Sequence, residues 1–208
     1  MPAQFVALHQ TSPDKRRIKQ VVEAYKDGAI VIIPTDSIYA VSCDLRNKRG
    51  VETICKLLGK KVNKANLSLL CKDLSDLATY CKPLPNPIFK LMRRLLPGPY
   101  TFVLRATSEV AKVFKTNKKT VGIRVPDNEI VQVLLEQLGN PIISSSIHAE
   151  DEVIEYLTDP DEIYAAWQHK VDIVIDGGPG KNQGSTVLDC TDNEAFLIRE
   201  GLGMDKID

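Results

Sequence analysis

Long apolar runs are missing from this chain: none approaches the roughly 20 residues needed to span a bilayer. The first ten residues also lack the basic stretch and apolar core of a secretory leader, so the expected compartment is cytosolic. Histidine is scarce, and His9, His148 and His169 lie far apart. No metal triad and no Ser-His-Asp order can be read from them. The five cysteines (Cys43, Cys55, Cys71, Cys81, Cys190) form an odd set with no Cys-x-x-Cys pair, which argues against a disulfide framework or a zinc site. Most of them are expected to be small buried apolar residues. Gly177-Gly178-Pro179-Gly180 has neither a phosphate-loop lysine nor Gly-x-Gly-x-x-Gly spacing and reads as a turn. Repeats, low-complexity tracts and linkers are absent too, so residues 1–208 are expected to form one domain.

What is present fits that size: 208 residues, 43% hydrophobic and 26% charged, enough to bury a sizeable core. Formal net charge is zero, but its distribution is bipolar. Arg46 to Arg124 carries 18 Lys/Arg against 4 acids, a net +14, whereas Val125 to Asp208 carries 4 against 18, a net −14. Gathered on one face, the basic half would attract RNA or a nucleotide phosphate tail. Interleaved with the acidic half, it would be neutralised across the surface.

Hydrophobic spacing predicts helices from Asp14 to Tyr25, Val51 to Leu58, Leu74 to Tyr80, Pro87 to Leu96, Ile130 to Leu138 and Asp161 to Lys170. Short apolar runs predict strands at 29–33, 67–71, 100–105, 121–125, 141–145, 171–176, 185–189 and 196–199. A basic segment, Lys112 to Lys119, joins two of them. The fold class is α/β with a mixed sheet, because the second half has too many short strands for a simple alternating chain.

Chemistry concentrates at strand ends. Pro34-Thr35-Asp36-Ser37-Ile38-Tyr39 closes the first apolar run, the place where open α/β sheets bind ligands. Arg124, just before Val125-Pro126, could grip a carboxylate with two parallel hydrogen bonds. A strand-end Arg is otherwise a common surface ion-pair partner, and Ser37 and Ser185 are otherwise common turn hydroxyls bonded to their own backbone. Glu150-Asp151-Glu152 reads as a solvated acidic loop.

In the same order follow Leu96-Pro97-Gly98-Pro99-Tyr100-Thr101, Gly122-Ile123-Arg124-Val125-Pro126, Ser144-Ser145-Ser146-Ile147-His148, Gly184-Ser185-Thr186-Val187 and Ile198-Arg199-Glu200-Gly201. From about Gly28 to Gly201 the series resembles the YrdC-type threonylcarbamoyl-AMP synthase family, most closely its YciO branch. The resemblance implies a single twisted mixed sheet with flanking helices and an open concave face. It also implies that L-threonine, bicarbonate and ATP form threonylcarbamoyl-AMP and pyrophosphate, for a tRNA modification. The carboxylated amine attacks the α-phosphate, so no protein nucleophile and no catalytic residue is assigned. Ser37, Arg124, Ser144 and Ser185 match substrate positions; Lys60, Lys61, Thr101, Ser146, His148 and Arg199 match nucleotide positions. ATP is a substrate, with magnesium as its companion ion, and no prosthetic group or protein metal site is expected.

Two departures fall on the nucleotide side. Synthases carry Lys-x-Arg where this chain has Gly59-Lys60-Lys61, and Ser-Ala-Asn where it has Ser146-Ile147-His148. A Lys cannot reproduce the planar two-pronged contact of Arg, and an imidazole brings a pH dependence that an amide lacks. Weak or altered synthase activity is therefore expected. The rival reading is a non-catalytic double-stranded RNA or tRNA-binding module using the 46–124 stretch. A different acyl- or carbamoyl-adenylate chemistry in the same pocket is a third, since fold does not fix substrate.

Overall fold

Asp14 accepts a hydrogen bond from the Arg17 amide at 2.9 Å and so caps the first helix, as its Ser-Pro-Asp lead-in predicts. In this computed structural model, which describes residues 1–62, 65–114, 118–147 and 157–207, that helix is α1 (Lys15–Lys26). Before it lies β1 (Gln4–Ala7), and after it come β2 (Ile30–Ile33), β3 (Ala40–Asp44), α2 (Gly50–Leu57), β4 (Ser68–Leu70), α3 (Leu77–Tyr80) and α4 (Asn86–Leu95). The chain continues through β5 (Tyr100–Arg105), α5 (Ser108–Phe114), β6 (Thr120–Arg124), α6 (Glu129–Leu138) and β7 (Ile142–Ser146). It closes with α7 (Pro160–Trp167), β8 (Ile173–Asp176), β9 (Thr186–Asp189) and β10 (Phe196–Arg199).

All of these strands join a ten-stranded sheet in the order β1-β8-β2-β3-β7-β4-β6-β5-β9-β10. The pairs β1/β8, β8/β2, β4/β6 and β5/β9 are parallel. The others, β2/β3, β3/β7, β7/β4, β6/β5 and β9/β10, are antiparallel. The mixed sheet with flanking helices expected from the sequence is thus the observed architecture.

Three local expectations change. Strands β1 and β3 were not foreseen, and the basic segment before β6 begins inside a helix, α5, which buries Val110 and Phe114 four residues apart. Helix α3 is shorter than its apolar spacing indicated. The Asp73 carboxylate takes the Ser75 amide at 2.7 Å, a side-chain turn that competes with helix at that point.

Each face of the sheet has its own apolar cluster. One face carries Ile32, Val41, Leu69, Phe102, Ile123 and Ile143, covered by residues of α2, α3, α4, α5 and α7. The other carries Val31, Ile33, Ala40, Ile142 and Ile175 under α1 and α6. All five cysteines are buried and free. The charge halves interleave: β7 of the acidic half lies between β3 and β4, and Lys72–Glu136 and Arg105–Asp192 form exposed ion pairs across the halves at 2.9 and 2.7 Å. Among the described residues no helix is long and apolar enough to cross a membrane.

Candidate functional site

Register partners in a sheet share a face. One continuous row runs Val31, Ser42, Ser144, Ser68, Gly122, Val103 across β2, β3, β7, β4, β6 and β5. Its first members lie beneath α1, where the Tyr25 hydroxyl meets Ser42 Oγ at 2.7 Å and Ser42 donates onward to the Val31 carbonyl at 2.7 Å. Its later members lie beyond α1 and α6. There the side chains become small and polar, and a cavity of about 410 Å³ stands over the strands.

Ser68, Thr101, Ser144, Ser146 and Ser185 contribute hydroxyls to its wall. Gly122 keeps the floor low: a Cβ there would sit 2.7 Å from Ser68 Oγ and 3.2 Å from Thr101 Cγ2. Lys60, Lys118, Arg124 and Arg199 also line the cavity, and among the described residues no Asp or Glu does. A concave, hydroxyl-rich, uniformly cationic space favours an anionic ligand.

Arg124 is the most constrained of these cations. It is 4% exposed, and its Nη2 donates to Asp36 Oδ1 at 2.7 Å and to Ser37 Oγ at 3.0 Å. Asp36 is itself positioned by the Asp127 amide, which donates to Oδ2 at 3.0 Å. Thr35 Oγ1 gives its one proton to the Ile38 carbonyl at 2.7 Å and accepts the Ser37 amide at 3.1 Å. The Ser37 hydroxyl, 3.1 Å from Thr35 Oγ1, therefore donates there and presents a lone pair to Arg124. Thr35 is the turn former, not Ser37. The Arg124 Nε is buried with no hydrogen-bond partner, and unsatisfied buried donors are costly. Burial pushes the Arg124 pKa down, the Asp36 carboxylate opposes that, and the Arg199 charge adds to the lowering.

A second cluster joins β5, β9 and β10. The Thr101 and Ser185 hydroxyls are 2.9 Å apart, and Arg199 Nη2 donates to the Ser185 carbonyl at 2.8 Å and to its Oγ at 3.2 Å. Pairing of β10 with β9 shifts register between Leu197 and Arg199, and both Ile198 and Arg199 line the cavity. Such an irregularity re-aims side chains that strict alternation would send to opposite faces. Ser185 pairs with Leu202 by a bridge. Gly201 permits it, because a Cβ there would lie 2.4 Å from the Gly184 carbonyl oxygen. The Gly98 amide donates to the Val125 carbonyl at 2.9 Å, tying the turn before Thr101 to the end of β6 and so to Arg124.

Of the residues singled out from sequence, Lys60, Thr101, Arg124, Ser144, Ser146, Ser185 and Arg199 meet around this one cavity. Ser37 is fully buried behind it, in contact with Arg124. Lys61 is exposed and outside the lining, and His148 and Glu150-Asp151-Glu152 lie outside the described residues. Gly59 takes φ +62°, a left-handed conformation that disfavours any Lys there. Gly177 and Gly178 are structural: the Gly177 amide donates to the Tyr39 hydroxyl at 3.1 Å, and that hydroxyl donates to the Gly178 carbonyl at 2.7 Å. Sequence reasoning missed Lys118, Ser68, Thr120 and Gly122. The lone hydroxyl inside an apolar run (Ser68) and the lone glycine inside a strand (Gly122) were the available signals.

The model of the Sua5/YciO/YrdC family, described as "Telomere recombination", matches residues 23–201. This chain belongs to that family. Within it, the chain is 39% identical over 203 residues to the Uncharacterized protein YciO of Escherichia coli strain K12, covering 97% of each. It is 28% identical over 197 residues to the Threonylcarbamoyl-AMP synthase of Mus musculus, covering 90% of this chain and 68% of that protein. The crystal structure of E. coli YciO superposes with a TM-score of 0.89 at 38% identity, covering 99% of this chain and 98% of that one.

Proposed function

We propose that this protein binds ATP and L-threonine in the cavity on the uncovered sheet face and forms threonylcarbamoyl-AMP weakly or in altered form. The observation that carries this reading is the buried Arg124, whose Nε has no protein partner, set in a cavity lined by four cations and, among the described residues, no carboxylate. An unpartnered N–H on a buried cation suits an anionic acceptor such as one oxygen of a small carboxylate. The synthase name of the mouse relative at 28% identity supports threonine as the source of that carboxylate.

In the proposed reaction, the threonine amine and bicarbonate give a carbamate with loss of water. A carbamate oxygen then forms a bond to the α-phosphorus of ATP, and the bond from that phosphorus to the departing pyrophosphate breaks. The protein's part is to hold anions together and offset charge on phosphorus, through positioning and electrostatics. Arg124 and Ser37 would orient the carboxylate end; Thr101, Ser185 and Arg199 would meet phosphate or sugar. Magnesium would come as the companion ion of the ATP phosphates.

The test is pyrophosphate release from ATP with and without L-threonine and bicarbonate. Release that needs threonine and disappears in Arg124→Lys supports the reading. A folded protein with no threonine-dependent release contradicts it. The alternative, RNA held by the basic half, draws on α4, which buries Ile88, Met92 and Leu95 and leaves Lys90, Arg93 and Arg94 exposed. Affinity for a duplex RNA that collapses between low and moderate salt would favour it.

A further inference from the structure

Resting on the ATP and threonine reading above, we propose that Ser68 is a further substrate-binding residue, forming with Ser144 the subsite for the uncharged carbamoyl group that links the threonine nitrogen to the adenylate. The two serines are register partners on the antiparallel strands β4 and β7, so their side chains leave one face about 5 Å apart. Both line the cavity. Ser144 is 3% exposed, and among the described residues neither hydroxyl has a hydrogen-bond partner. Ser42, on the far side of Ser144 in the same row, has its hydroxyl bonded to both Tyr25 and Val31.

Two residues along each strand, the same pairings place Leu70 against Ile142 and against Arg124. Leu70 and Ile142 belong to the apolar cluster under α1 and α6. One row on, that apolar pair is replaced by Ser68 and Ser144, and Arg124 by Gly122. The glycine leaves the Ser68 hydroxyl room, since a Cβ there would sit 2.7 Å from Ser68 Oγ. Two hydroxyls without protein partners thus stand side by side on the cavity floor, in the row next to Arg124.

Their chemistry selects the group they meet. No side chain of this row carries a charge, so the carboxylate and the phosphates are better served by the cations of the cavity. A serine hydroxyl both donates and accepts, and a facing pair can accept one N–H and donate to one C=O. Once the carbamate oxygen is bonded to phosphorus, the carbamoyl carbon retains one N–H neighbour, one C=O and no charge. That carbon is three bonds from the carboxylate carbon of threonine. It therefore belongs beside the Arg124 position rather than on it, where the row of Ser68 and Ser144 lies.

The experiment is calorimetric titration of the full chain with N-carbamoyl-L-threonine, L-threonine and ATP, for the unaltered protein, Ser68→Ala, Ser144→Ala and Ser42→Ala. N-carbamoyl-L-threonine carries the carboxylate, the N–H and the C=O without the nucleotide, and melting temperature serves as the check on folding. Ser68→Ala and Ser144→Ala are each expected to weaken N-carbamoyl-L-threonine about fivefold or more, while Ser68→Ala leaves L-threonine and ATP within about twofold. Ser42→Ala, in the covered part of the row, is expected to lower the melting temperature and leave all three affinities within about twofold. Normal binding of N-carbamoyl-L-threonine by Ser68→Ala overturns the proposal, and so does an equal loss for all three ligands. If the unaltered protein binds L-threonine and ATP but not N-carbamoyl-L-threonine, the Ser68 assignment falls and the ATP and threonine reading stands. If it binds N-carbamoyl-L-threonine alone, and Ser68→Ala abolishes that binding, the Ser68 assignment stands and the reading falls. Binding of none of the three overturns both.

Discussion

Ser42 and Ser144 are neighbours in one row on one sheet face, paired across β3 and β7, yet they serve opposite ends. Ser42 is fully buried, its hydroxyl engaged by Tyr25 of α1 and by the Val31 carbonyl. Ser144, one strand further on, lines the cavity. The residue type is the same; the cover differs. Helices α1 and α6 cover Val31, Ile33, Ala40, Leu70, Ile142 and Ile175 on this face, whereas Ser68, Thr101, Gly122 and Ser144 line the cavity. The covered part of the face is packed core, and the uncovered part is left as the cavity.

Breaking the bond between those halves should have the largest effect. Arg124→Ala leaves Asp36 as an uncompensated buried carboxylate, and removal of one partner from such a pair costs about 3–5 kcal/mol. Chemical denaturation should show that loss, together with loss of threonine-dependent turnover. The double variant Asp36→Leu, Arg124→Met should recover most of the stability, because well-packed apolar replacements of buried pairs are near neutral, and should recover none of the turnover. Recovery of turnover would make Arg124 a structural residue only.

Damage confined to the covered half should spare the site. Leu134 is fully buried in α6, and Leu134→Ala should cost about 3 kcal/mol through a cavity while ATP affinity of the folded fraction stays within twofold. The converse change is Gly122→Val, which fills the floor between Ser68 and Thr101. Denaturation should register a smaller loss than for Leu134→Ala, while ATP affinity falls at least about tenfold. If Gly122→Val binds ATP normally, the cavity above β6 is not the nucleotide site.

The smallest effect concerns the thiols, which belong wholly to the packed regions. Burial pushes Cys43, Cys81 and Cys190 up to about 12, and thiolate is the reactive form. At pH 8, therefore, native protein should react negligibly with a thiol reagent over minutes and fully once unfolded. Any fast-reacting thiol would mark a cysteine closer to solvent than this packing allows.

Much of the fold was legible because its signals are local. Asp14 and Gly28 bracket α1, and Ile130, Val131, Leu134, Leu135 and Leu138 recur at helical spacing in α6. Strand β3 was hidden for a physical reason: Ser42 and Asp44 look like loop residues, but Asp44 is satisfied by the Arg46 amide and the Asn140 side chain, each at 2.8 Å. Strand β1 buries only Val6 among its four residues, too little pattern to read. Strand order was not legible, because β4 meets β7 and β6 through pairings far apart in sequence.

The same division holds at the site. Serines at strand ends and Arg124 could be picked out as residue types at informative places. That Arg124 is held by Asp36, 88 residues away, or that Lys118 reaches Ala65, depends on tertiary contact and leaves no periodic trace. The ion-pair tendency of a strand-end Arg was correct in kind, but the pair is buried rather than on the surface.

The most direct measurement is a titration of ATP into isotopically labelled protein, followed through backbone amide shifts. The account predicts the largest perturbations at Ser68, Thr101, Gly122, Ser144 and Ser185, with little change along α1 and α6. Perturbations concentrated on the exposed basic side of α4, or on the α1/α6 side of the sheet, would contradict it.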